Sequence, residues 1–469
     1  MASANFHSAR RMLFQFSLYG FLKNQQYFDP FLSLYLLAFF KNSFFNWGLL
    51  IGYRQVLINI FEVPSGAVAD LYGRRRCMLI SFGAYLASFL LFGLAQAGAT
   101  WHLYMAMTLF AFGEAFRTGT HKAMIFDYLQ HEGRADEKTK YYGTTRSWSK
   151  MGSAMSVAVA AGIVFLISSL RPIQTSADEL WVYRWLFLAC LPPYLLQLIN
   201  FALYPGYLDG ADVREASIGK LFTHLFRVGR DSLRKPDLRG LLIESMGFEG
   251  IYDIAKDYLQ PIIKTAAKTL PVLVAMKMDM HRTAALILVV YFAQYLLESY
   301  SSRRSDSVRR RLGGEEKGAR FLWKVNLLTF VLIAVGMVAA WRFSGGKESA
   351  GLVVVIAGFM ALASLQNFWR PLHIGRFDTA GDAKAGATIL SLESQAKNSA
   401  GIVLAPLLGW IVDAVKASTW LGGDHGKFLP VALVGVLYAA GVLFFRRPPK
   451  AAAPAPEAAE SQPVPQDAE

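Results

Sequence analysis

The chain has 469 residues, of which 54% are hydrophobic and 17% are charged, and its formal net charge is +14. Its apolar residues fall into long runs without the alternating or heptad spacing of soluble domains, which excludes a pair of soluble domains. The two cysteines both lie inside apolar runs, so the sequence also excludes a fold built on disulfides.

Long apolar stretches follow one another along the whole chain. A helix that spans a bilayer needs about 20 mostly apolar residues. We predict twelve such helices, the first six at residues 12–40, 44–69, 76–97, 101–128, 147–170 and 181–204, and the last six at residues 238–263, 282–300, 320–342, 350–377, 387–414 and 428–446. The sequence therefore predicts an all-α integral membrane protein with twelve transmembrane helices.

A polar and basic segment divides the predicted helices into two sets of six. We predict an N-terminal bundle over residues 1–204, a cytoplasmic linker over 205–237, a C-terminal bundle over 238–446 and a disordered cytoplasmic tail over 447–469. A faint repeat supports the division, because Tyr27 and Pro30 of the first helix correspond to Tyr258 and Pro261 of the seventh. Two six-helix halves with a pathway between them are a recurring plan of transporters.

Basic residues concentrate in alternate loops. If the chain starts in the cytoplasm, the inner loops hold Arg74 to Arg76, the segments 214–239 and 303–320, and the final cluster from Arg446 to Lys450. This distribution is the positive-inside bias of membrane proteins, which explains the net charge without a nucleic-acid partner. We therefore expect both termini in the cytoplasm and a multi-pass protein of the bacterial inner membrane.

The loop between the second and third predicted helices combines glycines, an acid and a run of arginines. Glycine permits a tight turn and a close approach of helices, while the charged groups can form ion pairs and cap helix ends. Such contacts can hold one conformation and release another. The alternative is a solvated turn that only follows the positive-inside rule. The residues concerned are Gly66, Asp70, Gly73, Arg74, Arg75 and Arg76.

This loop resembles the signature of the major facilitator superfamily, in which Gly, three residues and Asp precede a basic residue, any residue, Gly, Arg and a basic pair. Leu71 departs from that pattern, because the family usually has Arg or Lys after the acid. Two further segments, Tyr19 to Lys23 with Phe28 to Pro30 in the first helix and Lys256 to Pro261 in the seventh, resemble poorly characterised prokaryotic members. The resemblance implies the fold of that superfamily and a gating charge network made by Asp70 and Arg74, with Asp127 and Arg146 as partners.

Many ionisable residues lie inside the predicted helices. Each costs about 2.5–3.5 kcal/mol at the bilayer centre, so they must line a wet cavity or form pairs. We predict that such residues of both halves meet a polar solute, with basic ones binding its anionic group. The alternative is that most of them form neutral pairs that hold helices together. The predicted substrate-binding residues are Lys23, Asp29, Arg54, Glu114, Arg117 and Arg370.

The seventh predicted helix carries a polar stripe. Glu249, Asp253 and Asp257 repeat at four-residue spacing and therefore share one face. Neighbouring carboxylates repel each other when both are ionised, which makes a proton carrier plausible. We predict that Asp253 or Asp257 takes up a coupling proton, with Glu249 on the same stripe.

Together these features predict a secondary active transporter of a small polar or amphipathic organic solute, working by alternating access and coupled to protons. A non-transporting membrane receptor or a lipid-handling protein with the same fold is the alternative. An enzyme is disfavoured, because no nucleophile and base stand at a recognisable spacing. We expect a monomer in the lipid bilayer, without a cofactor or a metal site.

Overall fold

The computed structural model describes residues 2–118, 120–209, 223, 227, 230, 234–343, 348–380, 386–418 and 423–445. These residues form helices and turns, and no strand occurs among them. Most of the predicted linker at 205–237 and all of the predicted tail at 447–469 lie outside the described residues.

The first half of the chain, residues 2–209, folds into nine α-helices within its described part. Short 3₁₀ turns at Asp29–Phe31, Ala135–Glu137 and Gly206–Asp209 join some of them. The helices are α1 (Ala2–Leu22), α2 (Leu32–Phe39), α3 (Phe44–Tyr72), α4 (Arg74–Leu94), α5 (Thr100–Arg117), α6 (Thr120–His131), α7 (Lys138–Ser168), α8 (Ser176–Ala189) and α9 (Leu191–Ala202).

The second half, residues 234–445, begins with an irregular helical stretch. A π-helical turn at Met246–Gly250 and a 3₁₀ turn at Lys256–Tyr258 separate α10 (Pro236–Ser245), α11 (Ile251–Ala255) and α12 (Leu259–Thr269). After them come α13 (Pro271–Val274), α14 (Asp279–Arg311), α15 (Glu315–Arg342), α16 (Glu348–Ala380), α17 (Gly386–Ala417) and α18 (Leu429–Phe445).

Eight helical stretches of the described chain are long and apolar enough to cross a membrane. They are Arg74–Leu94, Ala135–Ser168, Ser176–Ala202, Asp279–Ser305, Glu315–Arg342, Glu348–Phe377, Ser391–Ala417 and Gly426–Phe445. Together with the helical fold they make this a multi-pass membrane protein. The predicted spans 12–40, 101–128 and 238–263 instead fall on helices with breaks, at residues 23–28, at Thr118 and in the irregular stretch after α10.

The two prolines of the internal repeat, Pro30 and Pro261, lie at two of these breaks. Pro30 lies in the 3₁₀ turn that follows α1, and Pro261 lies in the first turn of α12, directly after another 3₁₀ turn. Proline favours such positions because its missing N–H removes no helical hydrogen bond there. The breaks leave polar backbone and side chains in the middle of the bundle.

Two helix pairs join the halves: α3 packs along α17, and α7 packs along α14. Glycine allows the first contact, because a Cβ at Gly48 would lie 2.3 Å from the carbonyl oxygen of Ala405. At Gly409 a Cβ would lie 2.1 Å from the carbonyl oxygen of Phe44. Small residues are the usual means by which membrane helices bring their backbones together.

The two ends of the bundle differ in how the halves meet. We call the end that carries Gly73 the signature end. At the opposite end the Asp413 carboxylate accepts hydrogen bonds from the N–H groups of Phe44 (3.1 Å) and Phe45 (2.9 Å). Lys264 pairs there with Glu179 across the halves at 2.6 Å. Polar contacts therefore join the two halves at the opposite end.

Candidate functional site

Gly73 forms the turn between α3 and α4. Its φ of +96° lies in the region that favours glycine, and a Cβ would meet Oδ1 of Asp209 at 2.8 Å. Asp209 also accepts a hydrogen bond from the backbone N–H of Arg76 at 3.2 Å. At Gly66 a Cβ would meet no described atom within 4 Å, so the predicted close helix approach does not occur there.

Two arginines of the signature loop bind two different helices. Arg74 pairs with Asp127 of α6. Arg75 donates to the carbonyl oxygens of Phe201 (3.0 Å) and Ala202 (2.7 Å), where it caps the C-terminus of α9. The loop thus ties α4 to α6 and α9.

The other parts of the predicted gating network are less complete. The side chain of Asp70 lies outside the described part of the structure. Arg146 contacts α14 of the second half, where its Nη2 donates to the Ser302 hydroxyl at 3.5 Å. A gating role for Asp70, Arg74, Asp127 and Arg146 therefore stays a prediction.

Arg54 and Glu114 form an ion pair in the first half. Their charged atoms lie 2.6 Å apart, and the Arg54 guanidinium also lies over the Phe110 ring at 5.0 Å. Arg117, one helical turn after Glu114, instead donates from Nε to the Tyr85 hydroxyl at 3.2 Å. Two of the predicted substrate-binding residues thus neutralise each other, while no carboxylate of the described residues binds Arg117.

A cavity of about 470 Å³ opens beside Arg117, between α1, α5, α6 and α7. Five basic side chains and no carboxylate line it among the described residues. We call it the cationic cavity. Its basic residues are Lys23, Arg117, Lys122, Arg146 and Lys150.

Most of these cations contact neutral groups. The ammonium of Lys23 lies over the Tyr19 ring at 5.4 Å, and that of Lys122 lies over the Tyr142 ring at 5.4 Å. Lys150 differs, because it pairs with Glu298 of α14 across the halves at 3.5 Å.

A second cavity, of about 360 Å³, lies between the broken first helix and the second half. Three carboxylates and one ammonium line it, so we call it the acidic cavity. Its charged residues are Asp29, Lys256, Asp257 and Glu298. The wall also includes Gln260, whose amide nitrogen donates to the backbone carbonyl oxygen of Asp29 at 2.8 Å. Because Glu298 lines this cavity and pairs with Lys150, the two cavities meet at one cross-half ion pair.

A connected set of ion pairs lies next to the acidic cavity. Arg370 binds Glu249 at 2.9 Å and Glu393 at 2.6 Å, and Lys397 approaches Glu249 at 3.7 Å. Lys397 and Lys256 then reach Asp253 at 4.0 and 2.8 Å. With three acids and three bases the set is neutral, and we call it the neutral network: Glu249, Asp253, Lys256, Arg370, Glu393 and Lys397.

The structure separates residues that the sequence grouped together. Arg370, predicted to bind a substrate anion, is held by two acids in the neutral network. Asp253 lies in that network too, whereas Asp257 lines the acidic cavity and takes part in none of the ion pairs of the described chain. The carboxylates on the stripe of the seventh predicted helix therefore lie in two different environments.

Four charged residues that line the two cavities were not among the predicted site residues. They are Lys122, Lys150, Lys256 and Glu298, and each lies inside a predicted helix. Their charge within an apolar stretch was the signal that could have identified them.

No protein-family model matches the sequence, and a comparison with curated proteins gives no match. Solved structures do match. The nucleoside transporter NupG aligns with a TM-score of 0.71 at 12% identity, over 93% of this chain and 99% of its own. A POT family transporter in complex with 5-aminolevulinic acid aligns with a TM-score of 0.62 at 12% identity, over 93% of this chain and 96% of its own. A D-xylose-proton symporter aligns with a TM-score of 0.59 at 13% identity, over 93% of this chain and 98% of its own. The chain therefore shares the fold of these solved transporter structures.

Proposed function

We propose that this protein is a secondary active transporter that moves a small polar or amphipathic organic solute by alternating access, coupled to protons. The observation that carries the proposal is the pair of charged cavities that meet at the Lys150–Glu298 ion pair between the halves. A fold shared with a nucleoside transporter and a D-xylose-proton symporter supports it. Ion pairs alone would hold a static bundle together without cavities that admit solvent.

The proposed architecture has twelve membrane spans in two bundles, residues 1–204 and 238–446, with both termini in the cytoplasm. The protein is a monomer of the bacterial inner membrane. In this arrangement the signature end faces the cytoplasm. The contacts at the opposite end, with Asp413 bound to the start of α3, are then contacts that an inward-facing conformation keeps. Transport requires these bonds to break while contacts form at the signature end, where Asp70 and Arg74 act as the gate.

Asp257 is the carboxylate best suited to carry the coupling proton. It lines the acidic cavity and takes part in no ion pair of the described residues. It can therefore bind or release a proton without breaking a salt bridge, unlike Glu249 and Asp253 of the neutral network. Asp257 also interacts electrostatically with Arg54 and Asp29 of the first half, so its charge affects how the halves meet.

Flux through proteoliposomes tests the transport function. The purified full-length protein is reconstituted, and counterflow is measured with labelled uridine, D-xylose, 5-aminolevulinic acid, succinate and glucose 6-phosphate. We expect counterflow of at least one of these solutes. A receptor or lipid-handling protein binds without exchange, so binding in a thermal-shift assay with no counterflow of the bound solute contradicts the proposal.

The proton role is tested with Asp257→Asn and the matched variant Asp424→Asn, which changes an exposed aspartate outside both cavities. Vesicles contain a pH-sensitive dye. When a pH gradient is imposed across the membrane, we expect wild type and Asp424→Asn to accumulate solute. We expect Asp257→Asn to lose this accumulation but to keep counterflow. Full accumulation of solute by Asp257→Asn would show that Asp257 does not carry the coupling proton.

A further inference from the structure

The basic side chains of the cationic cavity have few acidic partners within the protein. Lys150 has Glu298, but none of the ion pairs of the described chain includes Lys23, Arg117, Lys122 or Arg146. Arg54, by contrast, is close by and is neutralised by Glu114. The excess positive charge is therefore specific to the side chains that line the cavity.

Two of these basic side chains lie deep in the bundle, where a charge without an acidic partner is costly. Lys23 and Arg117 are only partly exposed, and they lie where α1 ends and where α5 breaks, away from the bundle ends. Charges held together in a low-dielectric bundle repel each other unless an opposite charge or water compensates them. The nearest acid to Arg117 on its own helix, Glu114, is already bound by Arg54. Among the described residues no carboxylate compensates Lys23 and Arg117, which leaves water or an anion from outside the chain to do so.

The walls also offer unused hydrogen-bonding capacity. Thr145 lines the cavity, is 8% exposed, and its hydroxyl is buried without a hydrogen-bond partner among the described residues. The Tyr19 ring stacks on His121 at 3.6 Å and forms an apolar face beside Lys23. A hydroxyl, a guanidinium and an ammonium around one space suit an oxyanion, since a guanidinium binds two of its oxygens at once.

We propose that the cationic cavity binds the phosphate or carboxylate group of the transported solute, which makes the substrate a small organic anion. This inference rests on the proposed transport function and narrows its substrate class. The volume of about 470 Å³ accommodates a metabolite-sized molecule, since ligand pockets typically measure about 300–1,000 Å³. Lys23 and Arg117 hold the anionic group, and the stacked Tyr19 and His121 rings contact the organic part.

Binding by the purified full-length protein in detergent tests the proposal. The probes are glucose 6-phosphate and succinate, with glucose and uridine as neutral counterparts. We expect the anions, and not the neutral solutes, to raise the melting temperature, with an affinity that falls as salt increases. In Lys23→Gln and in Arg117→Gln the Kd for the anion rises about tenfold or more, because each loses a charge-assisted hydrogen bond.

Two matched variants separate this effect from a general loss of positive charge. Lys140→Gln changes a 65% exposed lysine on α7, and Arg171→Gln changes a 41% exposed arginine at the opposite end. We expect both to bind the anion like wild type. The proposal is overturned if Lys23→Gln, Arg117→Gln and wild type bind the anion with equal affinity. It is also overturned if glucose or uridine binds tightly and neither substitution changes that affinity.

A lipid headgroup carries the same phosphate chemistry, so the assay is repeated in nanodiscs of phosphatidylcholine with and without phosphatidylglycerol. Stabilisation by phosphatidylglycerol with no response to either soluble anion overturns the solute assignment. Counterflow distinguishes this failure from failure of the proposed function. If the protein exchanges a neutral solute and Lys23→Gln exchanges it equally well, the transport function holds but the anion site is wrong. If the protein binds an anion but exchanges none, the transport function is wrong.

Discussion

In the neutral network three acids and three bases of the second half bind one another, whereas the cationic cavity of the first half gathers five bases with no carboxylate in its wall. Both regions place ionisable side chains inside a helical membrane protein. The difference lies in where the opposite charge comes from. In the network it comes from neighbouring helices, so the charges serve stability, whereas in the cavity we propose that a bound solute supplies it.

The two regions touch at one point. Lys150 belongs to the cationic cavity, and its partner Glu298 belongs to the acidic cavity. A solute anion that binds Lys150 competes with Glu298 for it. Occupation of the first cavity can therefore alter the charge balance of the second and the contact between the halves, which is what coupling between solute and proton requires.

The largest effect is expected when the network loses its central base. Arg370→Met leaves Glu393, 1% exposed, and Glu249, 9% exposed, without their guanidinium partner. One carboxylate oxygen of Glu393 already lacks a hydrogen-bond partner among the described residues. We expect the free energy of unfolding to fall by about 3–5 kcal/mol, as for other buried charges left unpaired. Titration with a denaturing detergent measures it.

A second substitution shows whether unpaired charge is the cause of that loss. Adding Glu393→Gln to Arg370→Met removes one orphaned carboxylate, so we expect part of the stability to return. If the double variant is as unstable as Arg370→Met, the loss comes from packing and the network is not held by charge.

A much smaller effect is expected in the cationic cavity. Arg117→Met removes a base that binds no carboxylate and loses one hydrogen bond, to the Tyr85 hydroxyl. Without ligand, we expect the free energy of unfolding to change by no more than about 1 kcal/mol. The same detergent titration compares it with Arg370→Met. A loss as large as that of Arg370→Met would mean that the protein itself compensates Arg117, and the contrast between the regions would disappear.

The smallest effect is expected at the contact between the cavities. Lys150 and Glu298 are 39% and 16% exposed, so their coupling in a double-mutant cycle with Lys150→Ala and Glu298→Ala should be about 0.5–1 kcal/mol. The coupling should shrink with added salt. A cycle with no coupling at low salt would show that the pair does not link the halves.

Helix placement was predictable because it depends on neighbouring residues. About 20 apolar residues are needed to span a bilayer, and a run of that length is visible in the sequence whatever surrounds it. The turn at Gly73 was predictable for the same reason, since a positive φ is a local demand of one residue. Breaks were less accessible, because the Thr118-Gly119 pair at the end of α5 stands inside a longer apolar run, and one glycine in such a run does not by itself predict that a helix ends.

Partners of the buried charges could not be read from spacing. Glu393 and Lys397 lie four residues apart, yet Glu393 binds Arg370 and Lys397 approaches Glu249. Glu114 lies three residues from Arg117, yet binds Arg54 of another helix. Within one helix such pairs contribute only about 0.2–0.5 kcal/mol, so contacts between helices override them.

The sequence by itself determined that the chain is helical, where its apolar helices run and which side chains bring charge into the bundle. Tertiary structure alone decided which charges are neutralised and which line a cavity, because that depends on how helices far apart in the chain are rotated and packed. Arg370 and Glu249 are 121 residues apart and bind each other. Asp253 and Asp257 are one turn apart, yet one belongs to the neutral network and the other to the acidic cavity.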